Sequence, residues 1–258
     1  MSTDKRTIDW YNDNAEGYTK HVQITTESIY HSYYEKPAMY SLLPDIKNKK
    51  VISLGCGSGE DSEYLRSLET SQSVGVDISE KLIDIAKSNH PKCDFRVMDM
   101  EKINFPDSSF DFAYSSLAIH YIENWTNTFK EVYRILKPNS YFLFSCGHPL
   151  RSSMTASQNE TEKIRQLAII KNKITEETTI VGNYLDRNKL DTKLGEKSFV
   201  TTYHKSIGEI VGEIKEAGFL IEDFVEPKPL PRMESISPND FKRLNKIPEF
   251  MIFKLKKI

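Results

Sequence analysis

The feature that most constrains the fold is a run of nine residues, Val51-Ile-Ser-Leu-Gly-Cys-Gly-Ser-Gly59, in which a short apolar segment runs into three closely spaced glycines. An apolar strand entering such a loop predicts a backbone that turns sharply and approaches a ligand without interference from Cβ atoms. Ser58, with Asp61 three residues on, reads as a capping box for a helix whose apolar face is Tyr64, Leu65 and Leu68. Ser73 to Val76 reads as a second strand stopped by Asp77, and Ser79 caps a helix carrying Leu82, Ile83 and Ala86. Phe95 to Val97 and Phe110 to Tyr114 are the next two strands. From Glu123 a longer helix places Trp125, Phe129, Val132, Tyr133 and Leu136 on one side, with Pro138 expected to end it. Tyr141 to Phe144 is a continuous apolar run, as a strand covered on both faces requires. This alternation predicts an α/β unit built on a parallel sheet.

Around that core the pattern changes. Residues 1–44 form an aromatic-rich helical lead, interrupted at Pro37 and closed by Leu42-Leu-Pro44. Its aromatics (Trp10, Tyr11, Tyr18, Tyr30, Tyr33 and Tyr34) either line an apolar pocket or pack helices on the sheet. Residues 149–204 are polar and too long for an ordinary link, so they read as an insertion. A capping box at Ser206 and Glu209 starts a last helix, Gly218 stops it, and Phe219 to Val225 and Glu249 to Leu255 follow as strands. The expected organisation is one domain of 258 residues: lead 1–44, core 45–148, insertion 149–204, and last helix with two strands 205–258.

Composition narrows the partners. With 35 basic and 37 acidic side chains the chain has no global pull toward nucleic acid or an anionic membrane, so neither is expected as a partner. Its 3 cysteines are too scattered for a disulfide framework or a zinc knuckle, and no His/Asp/Glu set has metal-ligand spacing. No apolar run approaches a membrane span, and a soluble, cytoplasmic protein is expected.

Two acids stand at strand ends beside the glycine loop. Asp77, 18 residues after Gly59, ends the second strand, where a carboxylate can accept both hydroxyl protons of a ribose. Asp99, after the third strand, can accept a proton from an adenine amino group. Glu60 stands where a dinucleotide fingerprint wants its third glycine, and its charge would repel a pyrophosphate. A nucleoside without phosphates is the better ligand, and a nicotinamide oxidoreductase is disfavoured.

Val51 to Gly59 resembles the first motif of class I S-adenosylmethionine-dependent methyltransferases, and Gly75-Val-Asp-Ile-Ser79 is similar to their second. Asp99-Met100 resembles their adenine-contacting pair, Phe110 to Tyr121 their fourth-strand segment, and Glu131 to Pro138 their E-x-x-R-x-L-K-P segment. Outside this core, Glu35-Lys-Pro-Ala, His148-Pro, Tyr203-His204, Gly218-Phe219 and Glu226-Pro227 resemble a bacterial and fungal small-molecule subgroup. The resemblance implies a Rossmann-like, doubly wound, mostly parallel seven-stranded sheet with helices on both faces. It implies S-adenosyl-L-methionine as cofactor and in-line methyl transfer to a small-molecule acceptor. A non-catalytic S-adenosylmethionine- or S-adenosylhomocysteine-binding sensor or partner protein is the alternative.

It also implies roles. Gly55, Cys56 and Gly57 face the methionyl end, Asp77 the ribose, and Asp99 and Met100 the adenine, with Ile78 also among the cofactor-binding residues. Ser115 or Ser116 lies beneath the sulfonium, and Tyr18 closes over the cofactor. Two positions depart from the family: Ser53 replaces its usual acid, and Asn139-Ser140 its frequent Gly-Gly. A general base is needed only where the nucleophile must lose a proton. His120, His148, His204 and Glu226 are candidates, and His148 and His204 rank first because they flank the insertion.

Overall fold

A computed structural model of the chain describes residues 3–158, 161–194 and 198–258. The lead forms α1 (Lys5–Asp13), α2 (Ala15–Gln23), a π-turn (His31–Glu35) and α3 (Lys36–Ser41). Pro37 does not interrupt this lead. It sits in the first turn of α3, where a missing N–H costs nothing. Then follow β1 (Lys50–Leu54), α4 (Glu60–Ser67), β2 (Gln72–Asp77), α5 (Glu80–Asn89), β3 (Asp94–Val97) and β4 (Phe110–Ser115). A 3-10 turn (Ile119–Tyr121) leads to α6 (Trp125–Ile135) and β5 (Leu136–Gly147).

The insertion holds α7 (Pro149–Ser152) and three antiparallel hairpins: β6 (Thr155–Gln158) with β7 (Lys163–Gln166), β8 (Ala168–Lys171) with β9 (Thr178–Val181), and β10 (Asn188–Leu194) with β11 (Ser198–His204). The chain closes with α8 (Ile207–Glu216), β12 (Leu220–Val225), α9 (Met233–Ile236), α10 (Pro238–Leu244) and β13 (Phe250–Lys256).

Seven strands form the main sheet in the order β12-β13-β5-β4-β1-β2-β3. The first five in sequence run parallel, while β13 is antiparallel to both β5 and β12. The chain moves outward from β1 through β2 to β3, then returns to place β4 on the other side of β1. That reversal opens a crevice at the carboxyl ends of β1 and β4, where open α/β sheets bind ligands.

Apolar residues cover both faces. Ile52, Val74, Phe142 and Phe144 pack under α6 and α8, and Val51, Phe112, Leu143 and Ile252 under α3 and α4. Phe144 sits at the centre, stacked on Phe142 and Phe253 and tilted against Phe129.

Two local expectations are corrected. Gly59, in the left-handed region at φ 95°, is the cap of α4, and the Ser58 hydroxyl donates to Glu60 instead of accepting a backbone N–H of the first turn. Asp61 turns to α3, accepting from Lys36 (2.7 Å) and Tyr40 (2.9 Å). Pro138 does not end α6. That helix stops at Ile135, and Leu136 passes straight into β5, with Asn139 at φ 62° absorbing the turn.

Replacing Phe144 by Ala should lower unfolding stability by about 3–5 kcal/mol, because its fully enclosed site cannot collapse around the loss. Urea denaturation measures it.

Candidate active site

The crevice is walled by the ends of β1, β2 and β4 and roofed by the lead. Its lining leaves about 620 Å³ of space, part of it open to solvent. Gly55 forms the floor at φ 64°, and a Cβ there would lie 2.3 Å from that of Ala118, so only glycine allows the loop and the β4 turn to meet. The Tyr18 ring lies over the loop, 3.4 Å from where a Cβ on Gly57 would stand. Tyr11 meets Tyr18 edge-on at 5.3 Å and shares a 2.8 Å hydroxyl contact with Tyr121.

Asp77 organises this end. One carboxylate oxygen accepts the Gly57 N–H and the other the Ser79 N–H, both at 2.9 Å. Each oxygen keeps a second lone pair, which suits two ribose hydroxyls. Burial raises the Asp77 pKa, and the N–H groups of Ser79, Gly57 and Ile78 oppose that rise.

Asp77, Ile78, Asp99, Met100, Gly55, Gly57, Tyr18 and Ser116 all line the crevice. Two of the expected residues do not. Ser115 is fully buried, with its hydroxyl donating to the Leu54 carbonyl at 3.0 Å, so of the serine pair only Ser116 faces the space. The Cys56 side chain points into a cluster with Ile83, Ala86 and Phe95, and only its backbone belongs to the loop.

The histidines are also corrected. His148 caps α7: its Nδ1 accepts the Leu150 N–H (3.1 Å), and its Nε2 donates to Glu226 (2.8 Å). His204 donates from Nε2 to the Tyr184 carbonyl (2.9 Å), and its Nδ1 shares a hydrogen bond with the Ser152 hydroxyl, which also reaches the Pro149 carbonyl (3.2 Å). The two are linked through α7, but neither lines the crevice, and each ring nitrogen already has a hydrogen-bond partner within the frame of the insertion. Burial lowers the His148 pKa and holds that of His120 at about 4, so His120 is a weak base.

Sequence reasoning missed Tyr121, Leu117 and Thr7 as wall residues. For Tyr11 a signal existed: it precedes Tyr18 by seven residues, two helical turns, although a break at Asn14 divides α1 from α2.

The crevice fits S-adenosylmethionine. It offers two carboxylates and, among the described lining residues, no Lys, Arg or His, a balance that favours a cationic nucleoside over a phosphate. Glu60, Asp61 and Glu63 in the first turn of α4 reinforce this. Among the described residues no group of three or more His, Cys, Asp or Glu is placed to hold a metal.

Residues 52–144 match a family described as a methyltransferase domain. An uncharacterized protein of Haemophilus influenzae is 30% identical over 237 residues, 87% of each chain. A crystal structure of an S-adenosylmethionine-dependent methyltransferase from Mesorhizobium loti is similar with a TM-score of 0.73 and 24% identity, covering 90% of this chain and all of that one. A crystal structure of a putative S-adenosylmethionine-dependent methyltransferase from Listeria monocytogenes is similar with a TM-score of 0.72 and 25% identity, covering 87% of this chain and 96% of that one. The chain belongs to the class I S-adenosylmethionine-dependent methyltransferases. It is an enzyme, and its cofactor is S-adenosyl-L-methionine.

The histidines still shape stability. Folded His120 stays neutral down to about pH 4, whereas the unfolded chain binds that proton near 6.5. The unfolded state holds more protons in that window, so stability should fall as pH drops from 6.5 toward 4. His120→Gln should flatten the slope. Adding His148→Gln should flatten it further, as denaturation midpoints against pH would measure.

Proposed function

We infer that this methyltransferase acts on a small molecule enclosed beneath its lead and insertion, using alignment and exclusion of water instead of a general base. The observation that carries this reading is the tie between those two segments. The Thr201 N–H donates to Thr7 Oγ1 at 2.9 Å, Lys189 lies 2.8 Å from Asp4, and Arg6 pairs with Asp191. Thr7 is itself a wall residue, so α1 and the β10–β11 hairpin act as one cover. An acceptor that must fit under such a cover is limited in size. Among the described residues no helix is long and apolar enough to cross a membrane.

The bound cofactor supplies an electrophilic methyl group on a sulfonium leaving group. In this reading Asp77 receives the ribose hydroxyls, while Ile78, Asp99 and Met100 hold the adenine. The glycine loop and Ser116 carry the methionyl end, and Tyr18 closes over it. None of the described wall residues offers an imidazole, so the nucleophile reacts already deprotonated or releases its proton to water.

A size-fractionated cell extract incubated with S-adenosylmethionine tests this. Methylated products should appear in the small-molecule fraction, matched by S-adenosylhomocysteine. Methylation confined to the macromolecular fraction would overturn the acceptor class.

Asp77→Asn should weaken S-adenosylhomocysteine binding by about 1.5–3 kcal/mol, the worth of a hydrogen bond to a charged group. Calorimetric titration measures it, and the wild-type chain should give no heat with NAD.

A further inference from the structure

Behind the Ser116 wall lies a carboxylate that neither the expected roles nor the fold explains. Glu35, the last residue of the π-turn, is completely buried. Its Oε1 accepts the Ser116 hydroxyl at 3.0 Å and the Ser145 hydroxyl through a shorter bond. Its Oε2 has no hydrogen-bond partner among the described residues, and neither does the Nδ1 of His31, 3.8 Å away. The neighbouring cation, Lys36, is committed to Asp61 at 2.7 Å. A carboxylate taken out of water is costly unless paired, and the 3.8 Å approach of the His31 ring leaves its Oε2 without a hydrogen bond among the described residues, so the site suits a further positive charge.

The route to that charge is Ser116. Its hydroxyl hydrogen is spent on Glu35, so it can offer the crevice only lone pairs, backed by an anion. Ser145 fixes the same spot from the other side. Its Oγ accepts the Leu117 N–H at 3.0 Å, holding Leu117 at φ 49°, a strained value for a residue with a side chain.

We propose that Glu35, acting through Ser116, is the counter-charge that positions the α-ammonium of the cofactor's methionyl end. This rests on the cofactor-binding reading. The ammonium carries three donors and a fixed positive charge, and it is the group of this ligand that most needs an acceptor backed by a carboxylate. Glu35 is thus a positioning residue that acts on ligand selectivity without touching the transferred methyl group.

The test compares S-adenosylhomocysteine, which keeps the amino-acid end, with 5′-methylthioadenosine, which keeps the nucleoside and thioether but lacks it. By calorimetry, Glu35→Gln should bind S-adenosylhomocysteine about ten- to a hundredfold more weakly and 5′-methylthioadenosine as the wild type does. Ser116→Ala, which leaves the buried carboxylate in place, should show the same selective loss and serves if the first variant fails to fold. Unchanged S-adenosylhomocysteine affinity in a folded Glu35→Gln overturns the proposal. So does an equal loss for both ligands, which would make Glu35 a purely structural support of the turn. A loss for S-adenosylmethionine without one for S-adenosylhomocysteine also overturns it, because the carboxylate would then serve the sulfonium. Failure of the wild-type chain to bind any of the three would instead sink the cofactor-binding reading itself.

Discussion

The carboxylate of Asp77 is the interaction on which the site depends. From the end of β2 it holds the glycine loop by the Gly57 N–H and the start of α5 by the Ser79 N–H. The Ser79 hydroxyl then donates to Asn12 Oδ1, which ties α1 to the same point. One buried acid thereby joins the sheet edge, the loop, the next helix and the roof. Its remaining lone pairs, with Asp99 nearby and no cation among the described wall residues, make the crevice electronegative. That polarity agrees with a sulfonium nucleoside and opposes a phosphate.

Much of this was legible in the sequence because it rests on local chemistry. Val51 to Leu54 and Tyr141 to Phe144 read as strands since a strand buried on both faces tolerates few polar residues. Asp77 and Asp99 stood out because acids at consecutive strand ends share one edge. The errors arose where neighbours distant in sequence decide. Ser58 and Asp61 satisfy the spacing of a capping box, yet Gly59 takes the cap, and Asp61 is drawn to Lys36 and Tyr40 on α3. His148 and His204 flank the insertion as expected, but Glu226, Tyr184 and Ser152 occupy their nitrogens, and no local pattern names those partners. The β8–β9 hairpin of the insertion was invisible as strands because it carries little of the alternation that a half-buried ladder imposes.

The aromatic lead shows how two readings can each hold for part of a segment. Tyr11 and Tyr18 line the crevice, whereas Tyr33 and Tyr34 pack with Met233 and Leu244. The division falls between α2 and the π-turn. Ahead of it the lead roofs the ligand, and after it the lead is core. Glu35 sits at that border, buried within an aromatic run, with one carboxylate oxygen bonded to Ser116 and Ser145 and the other without a hydrogen-bond partner among the described residues.

The cover raises a question of rate. With no imidazole among the described wall residues, turnover in the proposed reading rests on how well the cover aligns the acceptor and on how readily it opens to exchange it. The ion pairs joining α1 to the β10–β11 hairpin stand largely in water, with side-chain exposures of 46% and 64% for Arg6 and Asp191, so they are screened and hold the hairpin only loosely. The firmer contacts are the buried Thr201–Thr7 hydrogen bond and the Val200 side chain beside it. The β10–β11 hairpin, joined to α1 by a few buried contacts within a frame of weak surface pairs, can part from α1 while Asn12 keeps α1 on the Asp77 network. In the proposed reading, cofactor binding belongs to a rigid sheet edge and acceptor exchange to the loosely held hairpin of the roof.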